Sequence, residues 1–469
     1  MTELWRHGAH ELAAMIAARK VSSVEVVDAH LERIEAVNPA LNAVTLVLAD
    51  EARAAAAAAD RALAAGVALG PLHGVPFTVK QNIDLVGCAT NWGLPALAEA
   101  LPPRDSPVVE RMKQAGAIPI GRTNCPDMAL RISTDSSLYG LTRNPWHPQH
   151  TAGGSSGGEG AALAAGMSPI GLGNDIGGSL RNPASCCGIA SIKPSAGRVP
   201  LCTLIPSVDG PASFQLMPVE GPMARRVADV RLGLGILAGR DPRDPYSVPA
   251  PMVSPRASGR PLRVAALAEP PGGATDPRIA ACVRAAADAL ANAGYEMVGA
   301  VPPRFEEVVT TWSNFISADI RLLHPTIGPL ISEDANRFLG VMLEETPAVD
   351  LVGYTALLMT RQSLIRDWQQ WFTDVDLVLT PTWTQLPFPH GWDAAARENA
   401  LATLELMRCV TIANLLGLPS AAVPAGLVDG LPVGVILTGD RFADDKTLDA
   451  AEIVESALGL ATPIDPIRG

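Results

Sequence analysis

The chain has 469 residues, 48% of them apolar and 18% charged, with 42 Gly, 41 Pro and a formal net charge of −12. That is a globular composition, and folding at this length buries roughly three-quarters of the extended chain's surface, which excludes disordered, fibrous and disulfide-scaffold classes. The acidic balance argues against a general nucleic-acid or anionic-membrane binder, because either needs a basic face to release counterions from phosphate.

The first 65 residues read as three helices. Apolar positions recur at helical spacing from residue 9 to 38, and Ser22-Ser23 followed by Glu25 has the form of a capped start. The Ala-rich run from Ala52 to Ala65 is interrupted by Arg53, Asp60 and Arg61, as a surface helix would be. No secretory h-region opens the sequence, and no stretch of 18 apolar residues occurs. The seven Cys lack metal-finger spacing, and adjacent Cys186-Cys187 cannot bridge without strain, so reduced thiols in a cytoplasmic protein are expected.

From Pro71 the texture changes to short β-branched runs (Val75–Val79, Ile118–Ile120, Ile170–Leu172) separated by Gly/Pro turns and Ala-rich helices, the pattern of an α/β sheet covered by helices. The Pro- and Gly-rich segment from Gly239 to Gly273 suggests an exposed connection. A long helical stretch follows to about residue 373, and Val375–Leu379 and Gly434–Leu437 read as returning strands. No internal repeat is present, which removes solenoids and propellers.

Chemistry concentrates in two Gly/Ser loops. Within Gly153-Gly154-Ser155-Ser156-Gly157-Gly158-Glu159-Gly160, the glycines uncover backbone N–H groups that can cradle an oxyanion or phosphate. A P-loop needs Gly-Lys-Ser/Thr at its end, yet the nearest downstream lysine is Lys193. A nucleophile elbow fits the bare Gly-x-Ser-x-Gly spacing but expects a strand before the serine and a His after it. Here a loop precedes, and only His324 and His390 lie downstream. A flexible loop without a role is the third alternative. A second element weakens it: Asn174-Asp175-Ile176-Gly177-Gly178-Ser179-Leu180-Arg181, again Gly-Gly-Ser after an apolar run. A serine hydroxyl is a poor nucleophile without a base, and neither loop carries a His. Lys80, closing the apolar run Val75–Val79, is the candidate base, with a snorkelling surface lysine as the alternative. Lowering a lysine pKa to near 7 costs about 4 to 5 kcal/mol, within the range known for buried lysines. The chain carries 31 Arg and five Lys, and a guanidinium cannot serve as a base, so the scarce amine stands out.

Lys80, Ser155 and Ser179, in the contexts GVPFTVK, GGSSGGEGAALAAG and GNDIGGSLRNPASCCGIASIKPSAGRV, resemble the amidase signature family. RIEAVNPALNAVT, GRTNCPDMA, YGLTRNPW, GPMARRVADV, NLLGLPSAAVPAG and GLPVGV extend the resemblance over most of the chain. It implies an α/β fold with a large mixed sheet covered on both sides by helices. It also implies a helical segment at 1–65 packed on a domain at 66–469, with core motifs at 71–200 and 375–460 and a more variable helical region at about 240–373. The implied chemistry is a Ser-cisSer-Lys triad, with Ser179 the nucleophile, Ser155 the proton relay and Lys80 the base, and no metal or organic cofactor. Backbone N–H groups of Ile176, Gly177, Gly178 and Ser179 are the implied oxyanion hole. Asn174 and Asp175 would support the site from behind, and Ala129 and Arg181 would contact substrate, although a structural ion pair is an equal reading of Arg181.

Gln81, Asn174, Asp127 and Ile436 depart from the family's usual residues. The expected function is hydrolysis of a small carboxamide through an acyl-enzyme, with a small aryl or alkyl amide favoured over a lipid amide. Trp312, Phe315 and Ile316 are read either as an apolar wall of its acyl pocket or as helix packing. The alternatives are the A subunit of a glutamine-dependent aminoacyl-tRNA amidotransferase and a non-catalytic amidase-like adaptor. Partners expected are the amide substrate and, from base rates, a second copy in a homodimer; neither nucleic acid nor membrane is expected.

Overall fold

Strands whose residues are buried along their whole length form only where helices cover both faces of a sheet, and the β-branched runs of this chain are of that kind. The computed structural model describes residues 3–254 and 259–467. Its main strands are β1 (Val44–Val47), β2 (Pro76–Lys80), β3 (Ile118–Thr123), β4 (Ile170–Asp175), β5 (Ala190–Lys193), β6 (Val219–Ala224), β7 (Arg263–Ala266), β8 (Glu296–Val298), β9 (Leu377–Pro381), β10 (Ser420–Val428) and β11 (Leu431–Gly439). They join in one mixed sheet in the order β1-β3-β2-β4-β6-β5-β10-β11-β9-β7-β8.

Alternate residues of these strands feed two cores. Leu377, Leu379, Val435 and Leu437 belong to one, and Val378 and Ile436 to the other. The first packs against the helices Ala9–Ala17, Pro107–Gln114, Val227–Leu237, Pro277–Asn292 and Asp444–Leu458. The second packs against Ser23–Leu41, Gly157–Ala164, Arg181–Cys187, Phe305–Ile327 and Arg408–Leu416. The fold is therefore the α/β architecture expected, with helices on both faces.

Three short strands escape the sequence pattern. The first 65 residues hold three helices, Ala9–Ala17, Ser23–Leu41 and Ala49–Ala64, but also β1, which pairs antiparallel with β3 at the sheet edge. Its Leu46 and Val47 are each 40% exposed, so the strand lacks the buried alternation that would announce it. Likewise β7 and β8 extend the opposite edge with four and three residues. Between residues 239 and 262 the described chain forms neither helix nor strand; residues 255–258 of that connection lie outside the described residues.

Strands β2 and β4 are parallel neighbours, with Thr78 opposite Gly171 and Val79 opposite Leu172. Their carboxyl ends therefore open on the same edge of the sheet, where crevices of α/β folds bind ligands. Lys80 ends one strand and the Ile176–Ser179 loop leaves the other.

Candidate active site

Lys80 is fully buried, and its Nζ donates to Ser155 Oγ and to Asn174 Oδ1, both at 2.7 Å. Asn174 is held in turn, its Nδ2 donating to Asn82 Oδ1 at 2.9 Å. Burial pushes the Lys80 ammonium down to about 8, against the opposing pull of nearby Cys125, Asp175, Glu159 and Glu220. Glu159 lies fully buried in the first turn of the helix Gly157–Ala164; burial raises its carboxyl to about 7, opposed by the Thr78 and Thr123 hydroxyls that bond it.

Ser155 enters through a cis peptide bond from Gly154, just ahead of that helix. A Cβ at Gly154 would lie 2.6 Å from the Ile132 carbonyl carbon, so only glycine lets the 131–132 backbone close over this turn. Ser179 is 5% exposed, and the Ser156 N–H donates to the Ser179 carbonyl at 3.3 Å, which sets the two Gly/Ser loops side by side.

The loop carrying Ser179 is held by its carbonyls. Asn414 Nδ2 donates to the Asp175 carbonyl (3.1 Å), Trp312 Nε1 to that of Ile176 (3.0 Å), and Asn182 Nδ2 to that of Gly177 (3.3 Å). The Asn182 N–H donates to the Gly178 carbonyl at 2.6 Å. In a trans peptide the C=O and the following N–H point in opposite directions. Pinning the carbonyls of residues 175, 176 and 178 therefore aims the N–H groups of Ile176, Gly177 and Ser179 to the other side. Gly178 is at φ +98°, a conformation that glycine adopts freely.

Two sequence expectations need correction, Gly178 as an oxyanion donor and Arg181 as a substrate contact. The Gly178 N–H is already engaged with Asp175 Oδ1 at 2.7 Å, so it is not a free oxyanion donor. Arg181 does not face a substrate: it is fully buried and forks onto Asp175 through Nε (3.0 Å) and Nη2 (2.9 Å), with a further bond to Asn414 Oδ1 at 2.8 Å. Burial raises the Asp175 carboxyl, but the Arg181 guanidinium overrides that and holds it at about 2. Ala129, half-buried, sits in a short turn at φ +57°, its N–H bonded to the Pro126 carbonyl, and its contact with substrate stands as a proposal.

Sequence reasoning gave no role to Asn82, Asn182, Trp383 or Asn414, and read Trp312 only as an apolar wall or helix packing. Each acts through a hydrogen bond to a loop or to another side chain, and the available signal was a polar atom in an otherwise buried segment. Trp312 also crowds Gly177, where a Cβ would lie 2.6 Å from its ring. A Trp312→Phe variant keeps an aromatic ring there but removes the donor to Ile176. It is expected to lower kcat about 10-fold or more, a fraction of the 10²- to 10³-fold that losing an oxyanion donor costs. Steady-state kinetics beside a thermal midpoint lowered by only a few degrees would show it.

A family model described as Amidase matches residues 25–448. An indoleacetamide hydrolase of Bradyrhizobium diazoefficiens is 43% identical over 460 residues, covering 97% of this chain and 87% of that protein. The A subunit of a glutamyl-tRNA(Gln) amidotransferase from Synechococcus sp. (strain CC9605) is 36% identical over 469 residues, covering 93% and 94%. Among solved structures, a 6-aminohexanoate cyclic dimer hydrolase superposes with a TM-score of 0.84 at 27% identity, covering 98% of both chains. A bacterial aryl acylamidase of the amidase signature family gives 0.81 at 28%, covering 98% and 97%. With a family match over nearly its whole length and hydrolases of amides among its relatives in both sequence and fold, the chain belongs to the amidase family and is a hydrolase of small amides.

Proposed function

We propose that this amidase cleaves a small arylacetamide, of the kind its indoleacetamide hydrolase relatives are named for, through an acyl-enzyme on Ser179. The observation that carries the reading is the buried Lys80 amine bonded at 2.7 Å to Ser155, beside the loop of Ser179. As Ser179 Oγ attacks the amide carbon, its proton passes to Ser155, whose own proton passes to Lys80 Nζ. The tetrahedral oxyanion is received by the N–H groups of Ile176, Gly177 and Ser179. The C–N bond then breaks as the proton returns through Ser155 to the departing nitrogen. Water repeats the attack on the ester and releases the carboxylate.

Partly exposed apolar side chains support an aryl substrate: Ile176, on the Ser179 loop, and Met128 are half-buried against the core. Seven free thiols support a reducing, cytoplasmic setting. The test is ammonia release from indoleacetamide, benzamide, short aliphatic amides, amino-acid amides, malonamate and glutamine. Indoleacetamide is expected to give the highest kcat/KM, and a clear preference for benzamide or an aliphatic amide would overturn the arylacetamide reading. Glutamine turnover that appears only with added partner subunits would instead place the chain with its amidotransferase relatives.

A further inference from the structure

We propose that Asn182, oriented by Trp383, is a positioning residue that locks the Ser155 loop to the Ser179 loop. The inference rests on the assignment of those two serines to the reaction.

Asn182 is fully buried in the first turn of the helix Arg181–Cys187. Its Nδ2 reaches two carbonyls at once, Gly154 at 3.2 Å and Gly177 at 3.3 Å. The first belongs to the peptide that delivers Ser155, and the second lies two residues before Ser179. No other side chain among the described hydrogen bonds donates to a carbonyl of both loops. Its Oδ1 accepts from Trp383 Nε1 at 2.9 Å.

The chemistry of the three partners fixes which way the amide faces. An indole N–H only donates and the two carbonyls only accept, so a flipped amide would set NH₂ against N–H and oxygen against both carbonyls. Trp383 is itself held: it is 3% exposed and stacks on Phe388 with ring centroids 5.6 Å apart and planes 7° apart. The Phe388 carbonyl accepts from the Thr151 N–H at 2.9 Å, two residues before Gly153, so the platform is tied to the same loop it steadies.

Asn182 also confines the Ser179 turn by contact. A Cβ at Gly178 would lie 2.5 Å from Asn182 Oδ1 and 2.7 Å from Nδ2, so the amide plane lies directly on the Gly178 backbone. Losing the amide would leave three buried polar groups without partners and free both loops to shift. A displacement of about 1 Å at reacting groups can cost 10²-fold in rate.

The experiment uses the full chain and four variants, Asn182→Ala, Trp383→Phe, their double, and Ser179→Ala as a control. It reads kcat and KM on the best amide of the screen, the rate of fluorophosphonate labelling, and the thermal midpoint. Asn182→Ala is expected to lower kcat about 30- to 300-fold with KM within about threefold, and to slow labelling by the same factor. Trp383→Phe keeps the stack but drops the donor, and should lower kcat about fivefold while lowering the thermal midpoint by only a few degrees. Because Trp383 acts through Asn182, the double variant should be no worse than Asn182→Ala alone. A kcat of Asn182→Ala within about threefold of the parent, or a double variant that loses the product of the two single effects, overturns the proposal. If Asn182→Ala does not fold, an unchanged kcat in Trp383→Phe overturns it. Full turnover by Ser179→Ala would instead overturn the site assignment itself.

Discussion

A Lys80→Arg variant is expected to keep the positive charge and lose turnover, by about 10³- to 10⁴-fold near pH 7, the size of effect a general base supplies. At pH 7 an ordinary lysine with a pKa near 10.5 is about 0.03% neutral, whereas one at about 8 is roughly a tenth neutral. Burial therefore raises the supply of free amine about 300-fold without any change of residue type. A guanidinium holds its proton throughout this range, so arginine offers Ser155 a donor where an acceptor is needed. The sign of the pH dependence follows. The working form of Lys80 is unprotonated, so kcat/KM should rise about tenfold per pH unit below pH 8 and level off above it. Ammonia release from pH 5.5 to 10 measures both effects. A flat profile, or an arginine variant with parental kcat, would sink the assignment of Lys80 as base.

The proposed trio was legible mainly because its three motifs resemble those of the amidase signature family. Residue type alone went less far: two serines on glycine turns suggested a cooperating pair, and Lys80 read as a base or as a snorkelling surface lysine. Arg181 was ambiguous because its sequence neighbourhood fits a substrate carboxylate and an internal one equally well; only the fold shows Asp175 already paired to it. Gly178 was misread for a related reason. A Gly-Gly-Ser turn announces free N–H groups, but not which of them Asp175, three residues earlier, has claimed. Trp312, Trp383 and Asn414 were illegible in these roles because they act on backbone carbonyls or on an amide contributed by residues 136, 201 and 239 positions away. A carbonyl has no side-chain signature. Gln81, flagged as a departure from the family, turns out to serve a neutral network with Thr45, Asn91 and Tyr139 instead of the triad.

Replacing Arg181 with Met is expected to be the most destabilising change near the site. Breaking a buried ion pair by removing one partner costs about 3 to 5 kcal/mol, because the remaining charge stays buried without its counter-charge. In the parent, the Asp175 carboxyl is held at about 2, below its unfolded value, so it contributes stability that is present above about pH 4 and is lost as the pH falls through 2. Without the guanidinium, burial is opposed by Lys193, Asn414 and the N–H groups of Gly178 and Leu180 alone and the carboxyl rises, so the folded state keeps its proton to higher pH and stability relative to the parent falls as the pH rises. The deficit should therefore be largest near neutrality and shrink toward pH 5, which urea midpoints at several pH values would reveal. Lys193 offsets part of the loss. Burial, and then Arg181, push its amine down to about 7; with Arg181 gone it holds its proton more readily near Asp175. A deficit that does not depend on pH would show that Arg181 contributes by packing alone. An Asp175→Leu/Arg181→Met double variant removes the stranded charge and should regain stability, yet it should not regain turnover. Asp175 also accepts from the N–H groups of Gly178 and Leu180, which flank Ser179, and a leucine there holds neither.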